Sequence, residues 1–218
     1  MPWTQEGSAA VIVARRFNVT AARHHWLVKE GIIGENDLLQ GAIFTDTVVQ
    51  VPTSRFQLLL LPDQLQFFPM VSADEEQSII IEKLGKIVGT LPHVPYKALG
   101  LNFNWRFKAE EGDTGRATRE MFFVPDRPLF RIFFEQNARF GGYLSKDYGE
   151  FRLKLNVLPS TVAQEDGEEH FVQFAFNFHR DVEGDDAAAD ILRCLARWNE
   201  LRTEVKRMIQ NLGIGVVQ

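Results

Sequence analysis

The chain has 218 residues, of which 45% are hydrophobic, and this is enough to fill a substantial core. Its 24 lysines and arginines against 29 aspartates and glutamates give a net charge of −5, which excludes a global positive field that would attract nucleic acid or an anionic membrane. The one cysteine, Cys194, excludes an internal disulfide and is typical of a reducing compartment.

The amino terminus carries no secretory signature, because residues 1–18 lack a basic start followed by a long apolar run and a cleavage site. No uninterrupted apolar run approaches the ~20 residues that a membrane-spanning helix requires. We therefore expect a cytoplasmic protein without a membrane partner.

The first predicted elements are strands. Residues 8–18 are rich in small and β-branched side chains, which favours a first strand. Residues 19–41 are ambiguous between a short helix and an extended arm. Further strands are predicted within residues 42–52 and 54–70, the latter interrupted by a turn at Pro62–Gln64.

A helix is predicted over residues 72–89, "SADEEQSIIIEKLGKIVG". Ser72 and Glu75 have the spacing of a capping box, in which the hydroxyl accepts from a free backbone N–H and the carboxylate reaches back. Apolar residues recur at helical spacing, and Gly89 is a plausible terminator.

Two strands of similar design follow, "LGLNFNWRF" at 99–107 and "HFVQFAFNFHR" at 170–180. In each strand, alternate residues are apolar and the intervening ones are polar, so one face is expected to be buried and the other wet. The candidate site consists of the polar residues of both strands: Asn102, Asn104, Arg106, Gln173, Asn177 and His179.

Between these strands, residues 109–150 are the least regular part of the chain. Short amphipathic helices are predicted around 116–123 and 128–137, between proline and glycine residues that interrupt regular structure. Residues 151–159, "FRLKLNVLP", alternate cleanly and predict another strand.

The last element is predicted to be a long C-terminal helix of roughly 25 residues. Apolar residues recur every seven positions, with a second set between them: Ile191, Trp198, Val205 and Leu212, with Cys194, Leu201 and Met208. Leu195 and Ile209 widen this stripe, which favours packing on a sheet over an intermolecular coiled coil.

Together these elements predict an α+β fold: a largely antiparallel sheet with helices packed on one face, formed as a single domain over residues 1–218. Residues 44–108 and 151–212 have similar element orders, so an internal duplication of a strand-strand-helix-strand unit is conceivable.

If the two polar-faced strands are neighbours, their six polar side chains form one surface for a ligand or a protein partner. We call this set of six residues the polar row. The competing interpretation is a solvated sheet face without function, which one-sided antiparallel sheets commonly produce and which we favour.

Recognisable catalytic and metal-binding patterns are missing from the sequence. No His or Cys spacing resembles a zinc site, and Cys194 falls at a core position, where a thiol behaves as a small hydrophobe. There is no Gly-x-Ser-x-Gly elbow, Walker loop or dinucleotide fingerprint. We therefore predict no catalytic residues, no metal and no cofactor.

The leading hypothesis is a non-catalytic cytosolic interaction or assembly subunit that binds a protein partner or self-associates. The alternative is a small-ligand sensor or enzyme, in which His179 serves as general acid or base and Arg106 holds an anion. A further alternative is nucleic-acid binding through the arginines of residues 116–139, but a surplus of two positive charges there is thin for phosphate contacts.

Overall fold

The computed structural model describes residues 3–109, 113–164 and 167–213. Within these ranges, nine strands form one antiparallel sheet with the order β2-β3-β4-β5-β1-β6-β9-β8-β7. The strands are β1 (Trp3–Ala14), β2 (Ile43–Phe44), β3 (Val49–Pro52), β4 (Phe56–Leu60), β5 (Gln64–Pro69), β6 (Tyr96–Phe107), β7 (Gly142–Tyr148), β8 (Phe151–Gln164) and β9 (Gly167–Asp181).

Helices connect these strands and pack on one face of the sheet, which confirms the predicted α+β class. They are α1 (His24–Lys29), α2 (Glu76–Ile79), α3 (Lys86–Thr90), α4 (Thr114–Phe122), α5 (Pro128–Arg131), α6 (Ala187–Leu195) and α7 (Trp198–Asn211). A 3₁₀ turn covers Val19–Ala21, and a π-helical segment, Ile80–Gly85, joins α2 to α3. Among the described residues, no helix is both long and apolar enough to cross a bilayer.

The chain divides into two compact units. Unit I comprises Met1–Gly7, Phe103–Asn177 and Val205–Gln218, and unit II comprises Ser8–Asn102 and Phe178–Glu204. The single domain over residues 1–218 stays a prediction, as does the internal duplication.

Unit II contains a buried carboxylate that joins three distant parts of the chain. Glu76 is 5% exposed and accepts hydrogen bonds from the Ser8 hydroxyl at 2.9 Å and from Trp198 Nε1 at 2.8 Å. The Arg202 guanidinium lies 3.8 Å from the same carboxylate. Because a buried charge is tolerated only when it is paired and hydrogen-bonded, these contacts explain how Glu76 occupies the core.

The predicted helix over residues 72–89 is present, but it begins differently. The Ser72 hydroxyl donates to the Glu75 carboxylate at 2.7 Å, and Glu75 itself is the N-cap without a side-chain cap bond. The capping box was therefore wrong: the two side chains satisfy each other, and the regular helix begins at Glu76.

The predicted C-terminal helix is present as two helices, α6 and α7, rather than as one helix of 25 residues. The helical hydrogen bonding is interrupted at Ala196–Arg197, and Arg197 contacts Glu200 at 2.6 Å in the first turn of α7. Most of the apolar stripe is buried: Cys194, Leu195 and Leu201 are each 0% exposed, whereas Leu212, just beyond the end of α7, is 41% exposed. Leu195 and Ile209, which widen the stripe, are 0% and 4% exposed, so the stripe packs within this chain, as predicted. Its packing on the sheet stays a prediction.

The irregular segment of unit I, residues 109–150, contains fewer helical residues than predicted. Helix α4 ends at Phe122, and α5 is a single turn, Pro128–Arg131, instead of a helix over 128–137. Asp113 caps α4 by accepting from the Arg116 backbone N–H at 2.9 Å. Three rings, those of Phe123, Phe130 and Phe140, pack together with centroids 5.5 to 5.8 Å apart and form the centre of this segment.

Two glycine-to-alanine substitutions are expected to have opposite effects on stability. At Gly141, which precedes β7, an added Cβ would lie 2.6 Å from the Val157 carbonyl oxygen, so Gly141→Ala should lower the free energy of unfolding by about 2 kcal/mol. At Gly89, inside α3, an added Cβ meets open space, so Gly89→Ala should raise it by about 0.5–1 kcal/mol. Urea unfolding of both variants measures the difference, and equal effects would contradict the close approach at Gly141.

Candidate functional site

The polar row lies on β6 and β9, which are neighbours in the sheet order. All six side chains are partly exposed, and their apolar neighbours along the strands are buried, so the predicted alternation is confirmed. Asn102 and His179 belong to unit II, and Asn104, Arg106, Gln173 and Asn177 belong to unit I. One common surface formed by all six stays a prediction.

Arg106 already has partners within unit I. Its guanidinium forms an ion pair with Glu6, and it also lies over the Phe171 ring, with Cζ 4.2 Å from the ring centroid. The side chains of Arg106 and Glu6 are 28% and 29% exposed. Because Glu6 compensates its charge, Arg106 could hold an external anion only by giving up this pair.

The other members of the polar row with described hydrogen bonds also contact neighbouring groups. The Asn102 amide donates to the Ala9 carbonyl oxygen at 3.3 Å, and His179 Nε2 lies 3.1 Å from the Asp181 carboxylate two residues along the same strand. Residues two apart on a strand point to the same face, which accounts for this second pair. These contacts are typical of a sheet face whose polar groups form hydrogen bonds and ion pairs with neighbouring groups of the same chain.

The polar row lines neither of two cavities that the structure contains. A cleft of about 470 Å³ lies in unit I, at the amino end of α4 and beside residues of β8 and β9. Its polar lining includes Asp113, Arg139, Thr161 and His170, with Thr161 Oγ1 3.0 Å from His170 Nδ1. A hydroxyl, an imidazole and a guanidinium can bind an anion, but the negative charge of the Asp113 carboxylate would repel an anion in this cleft.

The second cavity lies in unit II and has an apolar lining. Its volume is about 140 Å³, and it is enclosed by the Val19–Ala21 turn, α1, β4, β5, α3 and the loop after α3. Its walls include the buried side chains of Leu27, Leu58, Leu60, Leu65 and Ile87. This cavity could not be predicted from the sequence, because its lining comes from short segments that are far apart in the chain.

Unit I exposes an unusual amount of apolar surface. Eight of its described large apolar side chains are at least 45% exposed: Val124, Leu129, Ile132, Phe133, Phe134, Tyr143, Leu144 and Leu158. Single exposed apolar residues are normal on soluble proteins, whereas a concentration of them marks a contact surface. Five of the eight lie between residues 124 and 134, around α5.

Arg116 and Arg119, two of the five arginines of residues 116–139, have partners within this segment. The Arg119 guanidinium stacks on the rings of Phe123 and Phe140, 4.5 and 5.1 Å from their centroids, and donates to the Glu135 carbonyl oxygen. Arg116 forms an ion pair with Glu120 at 3.0 Å. These two arginines therefore stabilise the segment itself, and nucleic-acid binding through the whole set stays a prediction.

The shifted pKa values lie in unit II, at ion pairs and at one buried phenol. Burial raises the pKa of Asp190, but hydrogen bonds from Arg180 and Arg193 outweigh it, so the pKa lies below its usual range. A hydrogen bond from Arg197 lowers the pKa of Glu200, and burial raises the pKa of Tyr96. Arginine pairs and burial explain these shifts without a catalytic role.

In the part of the chain that the structure describes, no group of three or more His, Cys, Asp or Glu side chains is arranged to hold a metal ion.

No protein-family model, no curated protein and no solved structure matches this chain. Its function therefore has to be argued from its surfaces and cavities.

Proposed function

We propose that this protein is a non-catalytic cytosolic assembly subunit that pairs with a second copy of itself through β7. The observation that carries the proposal is an exposed edge strand of seven residues, Gly142–Tyr148, at the end of the sheet order. An edge strand presents backbone N–H and C=O groups that can pair with another chain. The opposite edge, β2, has only two residues, which is a common way to prevent such pairing.

The sequence of β7 is compatible with antiparallel self-pairing in one register. If two copies pair with Ser145 opposite Ser145, Leu144 faces Lys146 of the other copy, and Tyr143 faces Asp147. No like charges then lie opposite each other. In a register with Lys146 opposite Lys146, or with Asp147 opposite Asp147, identical charges face each other, which destabilises a pair of strands.

Exposed apolar surface in the same unit supports the same proposal. On β7 itself, Tyr143 is 64% exposed and Leu144 is 51% exposed. Burial of such side chains against a second copy removes apolar area from water, which is the main driving force of association. Arg106 is a weaker candidate for the contact, because Glu6 and Phe171 already engage it.

Light scattering of the purified protein across a dilution series tests the proposal. We expect a dimer whose dissociation constant rises about tenfold in Leu144→Lys, since each of the two symmetric contacts then brings two lysines together. Leu144→Glu should keep the dimer, because a glutamate at this position faces Lys146. The double variant Leu144→Lys with Lys146→Glu should restore dimerisation.

Arg106→Ala is the matched control, because it alters the polar row of the same unit and leaves β7 intact. It should not change the measured mass. A monomer at all concentrations would reject self-association, and loss of the dimer in Arg106→Ala but not in Leu144→Lys would move the contact to the polar row.

A further inference from the structure

The apolar cavity of unit II is partly open to solvent and has more space than close packing leaves between buried side chains. Close-packed interiors have few spaces larger than a water molecule. This cavity measures about 140 Å³, whereas one water molecule occupies about 30 Å³ of the liquid. Leu58 and Leu60 of β4 and Leu65 of β5 form its floor, and all three are at most 6% exposed.

The lining decides which molecules can enter. Eleven of the twelve residues around the cavity are apolar, and the twelfth is Asn18. A water molecule needs two or more polar partners to be held, and a charged group without partners pays a large desolvation cost. The cavity therefore favours a neutral, apolar occupant and rejects ions.

Size narrows the occupant further. A dry cavity of about 150 Å³ lined by leucine, isoleucine and phenylalanine is known to bind benzene or xenon. The present cavity has nearly the same volume and the same type of wall, so a single aromatic ring or a short hydrocarbon group fits it, and a long acyl chain does not.

The cavity has an approach from solvent. Asn18 and Ala21 are exposed, and the Trp26 side chain is half-buried at the same wall, next to the buried Leu27. Ala21 and Trp26 lie on the short segments Val19–Ala21 and His24–Lys29, which can shift more easily than a sheet. A small molecule can therefore reach the floor past Trp26 without unfolding of the sheet.

We propose that this cavity is a binding site for a small neutral apolar molecule with one ring or a short hydrocarbon chain. The site is separate from β7 and does not depend on the assembly proposed above. It gives the protein a means to bind a small molecule through unit II while unit I makes the contact with a second copy.

Titration of the full-length protein with benzene tests the proposal, with benzoate as the charged probe of matched ring size. Benzene should cause saturable NMR shifts at the methyl groups of Leu58, Leu60 and Leu65, together with a change in Trp26 emission. Benzoate should bind at least about tenfold more weakly, because its carboxylate would be desolvated without a partner. Shifts that do not saturate, or equal affinity for benzoate, would overturn the proposal.

Three variants make the test specific. Ala22→Leu adds a buried side chain at the cavity wall and should abolish the benzene shifts with an unchanged or higher melting temperature. Ala21→Phe, at an exposed position, should block entry even if Ala22→Leu does not fold. Ala163→Leu, at an exposed site on β8, should bind benzene like the unaltered protein. Wild-type binding in both cavity variants would refute the site.

Discussion

Replacement of Trp198 by alanine is expected to lower the free energy of unfolding by about 4 kcal/mol. Trp198 is the first residue of α7, is 0% exposed and donates its indole N–H to Glu76 at 2.8 Å. Truncation removes the largest fully buried side chain and leaves a cavity that the surrounding sheet and helices cannot fill. Urea unfolding followed by circular dichroism measures the loss.

Leu39→Ala provides the control for Trp198→Ala, since Leu39 is a large apolar residue of the same unit that is 51% exposed. Its loss should cost less than about 1 kcal/mol, because little buried surface is removed. Trp198→Phe keeps one buried ring but removes the hydrogen bond and part of the indole volume, so its loss should lie between those of Leu39→Ala and Trp198→Ala. If Trp198→Ala were as mild as Leu39→Ala, the packing of α7 described above would be incorrect.

Glu76→Ala is expected to lower the free energy of unfolding by about 3 kcal/mol. The substitution leaves the Ser8 hydroxyl and the Trp198 indole N–H buried without their acceptor, and each such donor costs about 1–3 kcal/mol. It also removes the carboxylate that lies 3.8 Å from the Arg202 guanidinium, whose side chain is 15% exposed.

Glu76→Gln should lower the free energy of unfolding by about 1.5 kcal/mol, which lies between the unaltered protein and Glu76→Ala. The amide keeps one acceptor oxygen but loses the charge. Glu75→Ala is the matched control: this neighbour is exposed, and its contacts with Ser72 and Arg55 are on the surface. We expect a change within about 0.5 kcal/mol at Glu75. Equal losses at the two positions, measured by urea unfolding, would argue against the buried network.

Strand alternation was the part of the fold that the sequence predicted best. In β6 and β9, every second residue is apolar and buried, and this period of two survives in the structure because one face of each strand meets the core. The broad stripe of the C-terminal segment was equally informative. Both patterns are local, so a single sequence contains all the information they need.

Features that depend on distant partners could not be predicted. Glu76 lies in a run of three acidic residues, 74–76, and nothing local shows that its partners lie 68 and 122 positions away. The same holds for Arg106, whose partner Glu6 is 100 residues away. The local sequence does not show whether an arginine has an ion-pair partner. Whether Arg106 could bind an external anion therefore could not be judged before its contacts were known.

β7 was missed for a different reason. "GYLSKDY" is short, mixes polar and apolar residues without a clean period and begins at the second of two glycines, so no strand was predicted there. Its structure comes from its partner, because each of its residues pairs in register with β8, from Gly142 opposite Val157 to Tyr148 opposite Phe151. An edge strand of this kind is defined by tertiary pairing rather than by propensity.

The π-helical segment Ile80–Gly85 has a consequence for how this helix tolerates insertions and deletions. Glu76, Ile80, Leu84 and Val88 are all buried although they are spaced by four residues, a spacing that drifts by about 40° per step in an α-helix. The wider π turn cancels part of this drift and keeps the four side chains on one side. A π turn holds one residue more than an α turn, so loss of a single residue between positions 80 and 85 would restore a regular helix and keep Ile87 and Val88 facing the core. Addition of one residue would instead rotate both side chains away from the core, so this turn should tolerate a deletion better than an insertion.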